Sequence, residues 1–165
     1  MIPASALQPP LADFLADNSD ATHVAVTLAV RVDLASPIAI FMALGGDTEG
    51  SFLLESVEGG ELMGRYTFMG FGVRDAIEWH DGVCSVRRDG EMHRFETTDP
   101  LSVVEAELSR FRVRPAPNVP RFQGGAVGWI GFDCVSAFEP VPRPEAPGVG
   151  LPGMRMLLPQ DLVVY

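Results

Sequence analysis

The chain has 165 residues, 47% hydrophobic and 21% charged, which suits one domain with a real core and excludes long disorder. Its 22 acidic residues outnumber 12 basic ones, for a formal charge of −10. Nucleic acids and anionic membranes demand concentrated Lys and Arg, so neither is an expected partner.

The N-terminus lacks the basic start and continuous apolar stretch of a signal peptide. No apolar run approaches the ~20 residues of a membrane span, so the cytoplasm is the expected location. Leu11, Phe14 and Leu15 form a short amphipathic segment at helical spacing. Across residues 23–34 the alternation of Val24, Val26, Val30 and Val32 predicts a strand, with a short buried helix as the alternative. Ser36-Pro37 reads as an N-cap with proline at the first helical position. That helix runs to about Leu44, where Gly45-Gly46 stops it. Phe52–Ser56 and Arg65–Gly72 are two predicted strands joined across Gly59-Gly60.

Three short runs follow, Ala76–His80, Val83–Arg87 and Met92–Thr97, separated by Asp81-Gly82 and Asp89-Gly90. An Asp-Gly pair supplies the positive φ angles of tight hairpin turns, so a β-meander is expected. Asp99-Pro100 opens a second helix, with Leu101, Val104, Leu108 and Phe111 on one face and Glu105 and Glu107 toward water. Pro115, Pro117 and Pro120 end it in a stiff connector. The stretch Gly124–Asp133, GGAVGWIGFD, reads as a strand whose glycines permit close backbone approach. It lacks the following helix and acidic residue of a dinucleotide-binding fingerprint. Five prolines within residues 139–153 predict a surface loop. The chain stops at Leu162-Val163-Val164-Tyr165, inside an apolar β-type run, as a piece of a longer protein would. Hairpins in place of βαβ crossovers predict an α+β fold: a mostly antiparallel sheet with a meander and a few packed helices.

Cys84 and Cys134 share no metal-ligand spacing and read as reduced core residues. His23, His80 and His93 are scattered with no HxxxH or HExxH spacing, so a metal site is not expected. The densest chemistry lies in Phe52–Gly70, FLLESVEGGELMGRYTFMG. An apolar run delivers Glu55 and Ser56 at its polar end, and a carboxylate fixed beside a hydroxyl can hold an amine or an amino acid. The competing reading is a polar strand end that caps a turn. Arg65 either pairs with a carboxylate (Glu55, Glu58 or a ligand) or is a surface arginine beside a half-buried Tyr66.

The LLES run followed by GRYTFMG, and the later GGAVGWIGFD, resemble the N-terminal part of anthranilate synthase component I, a family of chorismate-utilising enzymes. The family pattern reads GRYSFIG and GGxVGYxGYD. Thr67 and Met69 are conservative departures, whereas Trp129 and Phe132 replace two tyrosines and lose their hydroxyls. The resemblance covers essentially all 165 residues but only the first third or so of a full component I. It implies that residues 1–165 are the N-terminal regulatory domain, without the catalytic chorismate-binding domain. It further implies feedback binding of tryptophan at Ser56, Glu55 and Leu54, with Arg65 and Tyr66 shaping the same pocket. The whole enzyme of that family converts chorismate and ammonia to anthranilate and pyruvate. It uses Mg2+ held by glutamates of its C-terminal half and ammonia from a glutamine amidotransferase, component II. No counterpart of those catalytic motifs occurs here, so the chain alone is expected to be inactive and to carry no cofactor. The alternatives are aminodeoxychorismate synthase component I, which tends to carry LLDS in place of LLES, a phenazine or salicylate branch of the chorismate enzymes, and a stand-alone amino-acid-binding module.

Overall fold

In a computed structural model of the chain, residues 6–17, 19–55, 66–141 and 150–165 are described. The chain folds as α+β, built mainly on antiparallel strands. The elements in order are β1 (Leu7–Gln8), α1 (Leu11–Leu15), β2 (His23–Val24), β3 (Thr27–Leu28), α2 (Pro37–Ala43), β4 (Phe52–Glu55) and β5 (Thr67–Phe71). The meander follows as β6 (Asp75–His80), β7 (Val83–Arg88) and β8 (Glu91–Glu96). Then come α3 (Pro100–Ser109), β9 (Val113–Arg114), β10 (Val127–Ile130), a 3-10 helix (Phe132–Ala137), β11 (Met154–Leu158) and β12 (Asp161–Val164).

The turns and caps form where the local chemistry dictates. Asp81 and Gly82 have φ of 48° and 86°, and Asp89 and Gly90 have φ of 51° and 89°, so both meander hairpins turn through consecutive left-handed residues. The Ser36 hydroxyl accepts the Ala39 N–H at 3.2 Å, and the Asp99 carboxylate accepts the Ser102 N–H at 3.0 Å. Proline occupies the first turn of both helices, where no intrahelical donor is lost.

The larger sheet runs β10-β11-β6-β7-β8, and a three-stranded sheet runs β12-β5-β4. They share a joint. β5 pairs with β12 up to Phe71↔Asp161, and β6 pairs with β11 from Asp75↔Leu158. Residues 72–74 therefore face residues 159–160 across the joint, a bulge that bends one paired ribbon from the first sheet into the second.

One face of the larger sheet carries the core: Ile77, Trp79, Cys84, Val86, Met154 and Leu158. Val103, Val104 and Leu108 of α3, with Phe111 just beyond it, pack on that face. α2 covers the smaller sheet, with Phe41 and Phe71 ring centres 5.5 Å apart and Met69 fully buried. At β10 the two backbones come so close that a Cβ on Gly128 would overlap the Arg155 carbonyl oxygen, which is why glycine stands there.

Four expectations need correction. Residues 23–34 are not a continuous strand: β2 pairs only with β9 and β3 only with β1. Val26, Val30 and Val32 stay exposed, because valine alternation reports an extended chain but does not provide a neighbouring strand to pair with. The α1 helix forms, yet Leu11 and Leu15 are about 70% exposed, so its apolar face is not a core contact. Leu101 is also exposed, since the buried face of α3 is set by Val103, Val104 and Leu108. Glu107 does not point to water. It is buried and receives hydrogen bonds from Arg88 and from Arg110, the latter at 2.6 Å. The Gly59-Gly60 connection and most of the proline-rich 139–153 stretch lie outside the described residues.

The cluster around Glu107 ties the helix to the sheet. Burial alone would push its carboxyl up, but hydrogen bonds from Arg88 and Arg110 outweigh it and hold Glu107 below the ordinary glutamate value. Arg110 also reaches Asp75 at 3.6 Å, and Asp75 accepts the Asp89 N–H at 3.0 Å. α3, β6, β7 and the β7–β8 turn thus meet at one group of charges.

Glu107→Gln is expected to cost about 2 kcal/mol in urea unfolding at pH 7, because two arginines lose their shared carboxylate. The native carboxyl is held low, so its stabilisation is complete above the ordinary value of 4.5 and is lost as pH falls below that through the depressed native value. The gap between wild type and variant should therefore narrow steadily on acidification, and a constant gap from pH 7 to pH 3 would contradict the ion-pair account. Gly128→Ala should destabilise by about 3 kcal/mol or more, since the clash is with backbone and has no rotamer to relieve it. An unchanged urea midpoint in that variant would show that the β10–β11 approach is looser than described.

Candidate functional site

Residues paired across antiparallel strands share a face, and successive residues alternate. β4 is the outer strand of its sheet, and its register is Leu54↔Phe68 and Glu55↔Thr67. β12 continues the rows with Phe68↔Val164, while Thr67 exchanges backbone hydrogen bonds with Tyr165 at 2.9 Å. Leu54, Phe68 and Val164 therefore lie on one face of this sheet, and Glu55, Thr67 and Tyr165 on the other.

Each expected site residue can be placed on this frame. Leu54 is half exposed on the first face. Tyr66 precedes β5 and leans to that same face, its ring 6.2 Å from Phe68. Glu55 ends β4 on the opposite face, exposed, with no ion pair or side-chain hydrogen bond to any described residue. Ser56 and Arg65 lie outside the described residues. The strand end thus brings Leu54 and Tyr66 together and sets the Glu55 carboxylate round the edge of the sheet from them.

A cavity of about 640 Å3 lies beside this sheet, on the side of Leu162 and Val164. Phe122, which lines it, meets Phe68 edge-on at 5.5 Å. Its walls come from the 23–27 segment, the β5–β6 joint, the end of α3 with its connector, and the β11–β12 hairpin. Leu54, Glu55 and Tyr66 are not among its lining residues, so the cavity and the β4 tip are separate places. Sequence reading missed it because its lining is drawn from segments far apart in the chain, with no motif in any of them.

The remaining reactive groups are structural. Cys84 is a free, buried thiol, and burial, helped by the charge of Glu107, pushes its pKa up to about 11. Burial raises Cys134 in the same direction. Both stay protonated and poorly nucleophilic near neutrality. His80 and His93 sit exposed on the meander. Trp129 directs its indole N–H to the Pro152 carbonyl at 3.3 Å and lies beneath the Arg155 guanidinium, 5.9 Å from the ring centre. Among the described residues no group of three or more His, Cys, Asp or Glu is placed to hold a metal ion. No helix among them is long and apolar enough to cross a membrane.

No family model matches the chain. It is 35% identical over 148 residues to anthranilate synthase component 1 of Pseudomonas aeruginosa, covering 87% of this chain and 30% of that protein. It is 31% identical over 146 residues to anthranilate synthase component 1 of Acetivibrio thermocellus, covering 88% of this chain and 29% of that protein. A crystal structure of anthranilate synthase component I from Streptococcus pneumoniae TIGR4 aligns with a TM-score of 0.48 at 23% identity, over 84% of this chain and 29% of that one. The chain thus spans less than a third of the length of the curated relatives it matches. Similarity above 30% along nearly the whole chain, running through the glycine-rich strand and the LLES strand alike, makes this chain a member of the anthranilate synthase component I family.

Proposed function

We propose that these residues are the N-terminal regulatory part of an anthranilate synthase component I, a cytoplasmic enzyme of tryptophan biosynthesis. The observation that carries this reading is the 35% identity over 148 residues to a protein of that name. The whole enzyme would convert chorismate and ammonia to anthranilate and pyruvate. A glutamine amidotransferase component would deliver the ammonia, and Mg2+ would be held by residues other than those described.

The role assigned to this part is feedback control by tryptophan at the β4 tip. A zwitterion entering a protein surface needs a counter-charge for its ammonium. Glu55 supplies one, since its oxygens are taken by no described residue. Leu54 and Tyr66 offer apolar surface for an indole on the adjoining face. A ligand that meets both must straddle the outer edge of β4; in sequence, Ser56 follows β4 and Arg65 precedes Tyr66. Tryptophan held there would act by favouring one arrangement of the whole enzyme over another, in proportion to its differential affinity for the two.

In the full-length enzyme, Ser56→Phe should raise the tryptophan concentration for half-inhibition by more than about tenfold, by adding a bulky ring at the residue that follows Glu55. Glu55→Gln should raise it by about tenfold, the effect of losing one charge-assisted hydrogen bond. Inhibition curves that overlay the wild type for both variants would remove the β4 tip from regulation. The 165-residue chain alone, given chorismate, Mg2+ and ammonium, should form no anthranilate. Appearance of anthranilate fluorescence would move catalytic groups into this part of the protein.

A further inference from the structure

We propose that the outer edge of β8 is a pairing surface for a second copy of this chain, joined antiparallel about a two-fold axis at Phe95 into one continuous sheet. β8 ends the larger sheet, pairs with β7 on one side, and is exposed at all six of its residues. Among the described residues it is the longest strand that ends a sheet. A long exposed edge is a template for another strand, and antiparallel pairing about a two-fold axis closes with two copies.

Backbone direction limits the registers. Thr97 lies one step beyond the Val83↔Glu96 pair and donates its N–H to the Gly82 carbonyl at 2.8 Å, so it faces β7. Backbone groups alternate sides along a strand. Glu91, His93 and Phe95 therefore also face β7, whereas Met92, Arg94 and Glu96 direct their N–H and C=O away from the sheet. Outward groups must meet outward groups, so a two-fold pairing has to be centred on a residue and not between two.

Charge chooses among those registers. Centred on Arg94 or on Glu96, like charges meet across the axis. Centred on His93, Arg94 faces only Met92. Centred on Phe95, Arg94 of each copy faces Glu96 of the other, and these are the pairs that exchange backbone hydrogen bonds. Neither Arg94 nor Glu96 has an ion pair or side-chain hydrogen bond to any described residue, so both are free to pair. The two Phe95 rings meet at the axis. By its register with Cys84, Phe95 belongs to the core face, yet it is 44% exposed. Each copy would thus cover apolar surface that its own α3 leaves open. This edge lies on a different sheet from Leu54, Glu55 and Tyr66, so it does not rest on the regulatory reading.

Sedimentation equilibrium of the chain, at loading concentrations up to about 1 mM and about 0.15 M salt to screen the net charge, should show a reversible rise from 17.8 kDa toward twice that mass. Arg94→Glu should weaken association by at least about tenfold, because the two-fold axis makes each substitution act twice. Glu96→Arg should do the same, and the double exchange Arg94→Glu with Glu96→Arg should restore it. These positions are exposed, so the variants should keep the wild-type urea midpoint. Phe95→Cys should form a disulfide-linked dimer under mild oxidant, since residues opposed without hydrogen bonds lie about 4.5 Å apart between Cα atoms. Cys84 and Cys134 are buried and do not compete. The crosslink should form in the full-length enzyme as well, and its confinement to the chain alone would give the edge to another part of the enzyme and overturn the proposal. A monomer at every concentration, or a dimer indifferent to Arg94→Glu or not restored by the double exchange, would overturn it too.

Discussion

The pairing of one ribbon with itself across two sheets governs the placement of everything else in this fold. The chain that leaves β5 as β6 and the chain that leaves β11 as β12 stay side by side through the joint, with residues 72–74 opposite 159–160. The larger sheet hangs from one end of that ribbon and the smaller sheet from the other. Because the ribbon bends, a space opens on its inner side, and the 23–27 segment and the connector after α3 close over it. The same ribbon fixes the register of β4, and hence which face Leu54 and Glu55 take. A slip of one residue at the joint would exchange those faces.

The parts of this arrangement that local chemistry decides could be read from the residues. The two Asp-Gly turns, the Ser36 and Asp99 caps and the glycine forced by Arg155 at position 128 each answer to a constraint spanning a few positions or one backbone contact. LLES could be read as a strand end because Phe52, Leu53 and Leu54 are apolar and the next two residues are not. β11 was not legible. Met154–Leu158 carries neither the alternation nor the β-branched residues that mark a strand, and it is made one by the neighbours β6 and β10 on its two sides.

Glu107 shows the limit from the other direction. A glutamate on a helix is polar by type, and helical spacing sets it beside the apolar stripe, so an outward reading follows. What overrides it is Arg88, which the meander register brings under the helix from nineteen residues away. The core can therefore hold a carboxylate against Cys84, at the cost of holding two arginines as well. The cavity-lining residues are hidden for the same reason. Leu162, Phe122 and His23 share no sequence neighbourhood, and only the closure of the ribbon brings them around one cavity.

The carboxylates then sort by what is left on their oxygens. Glu107 is buried and saturated by two guanidinium groups, so it can stabilise the fold but has nothing to offer a ligand. Asp75 and Asp89 lie near cations and act on the joint and the turn. Glu55 and Asp161 are different: each sits at a strand terminus, each is exposed, and neither is met by a described side chain. A free carboxylate in water gains little from a distant cation but much from an ammonium that brings an apolar group onto adjacent surface. Glu55 has Leu54 and Tyr66 round the strand edge, whereas Asp161, paired with Phe71, belongs to the face opposite Leu162 and Val164. The two strand termini differ in shape. The Glu55 end is an open edge that needs a second surface to enclose a ring, and the Asp161 end lies against the joint between the two sheets.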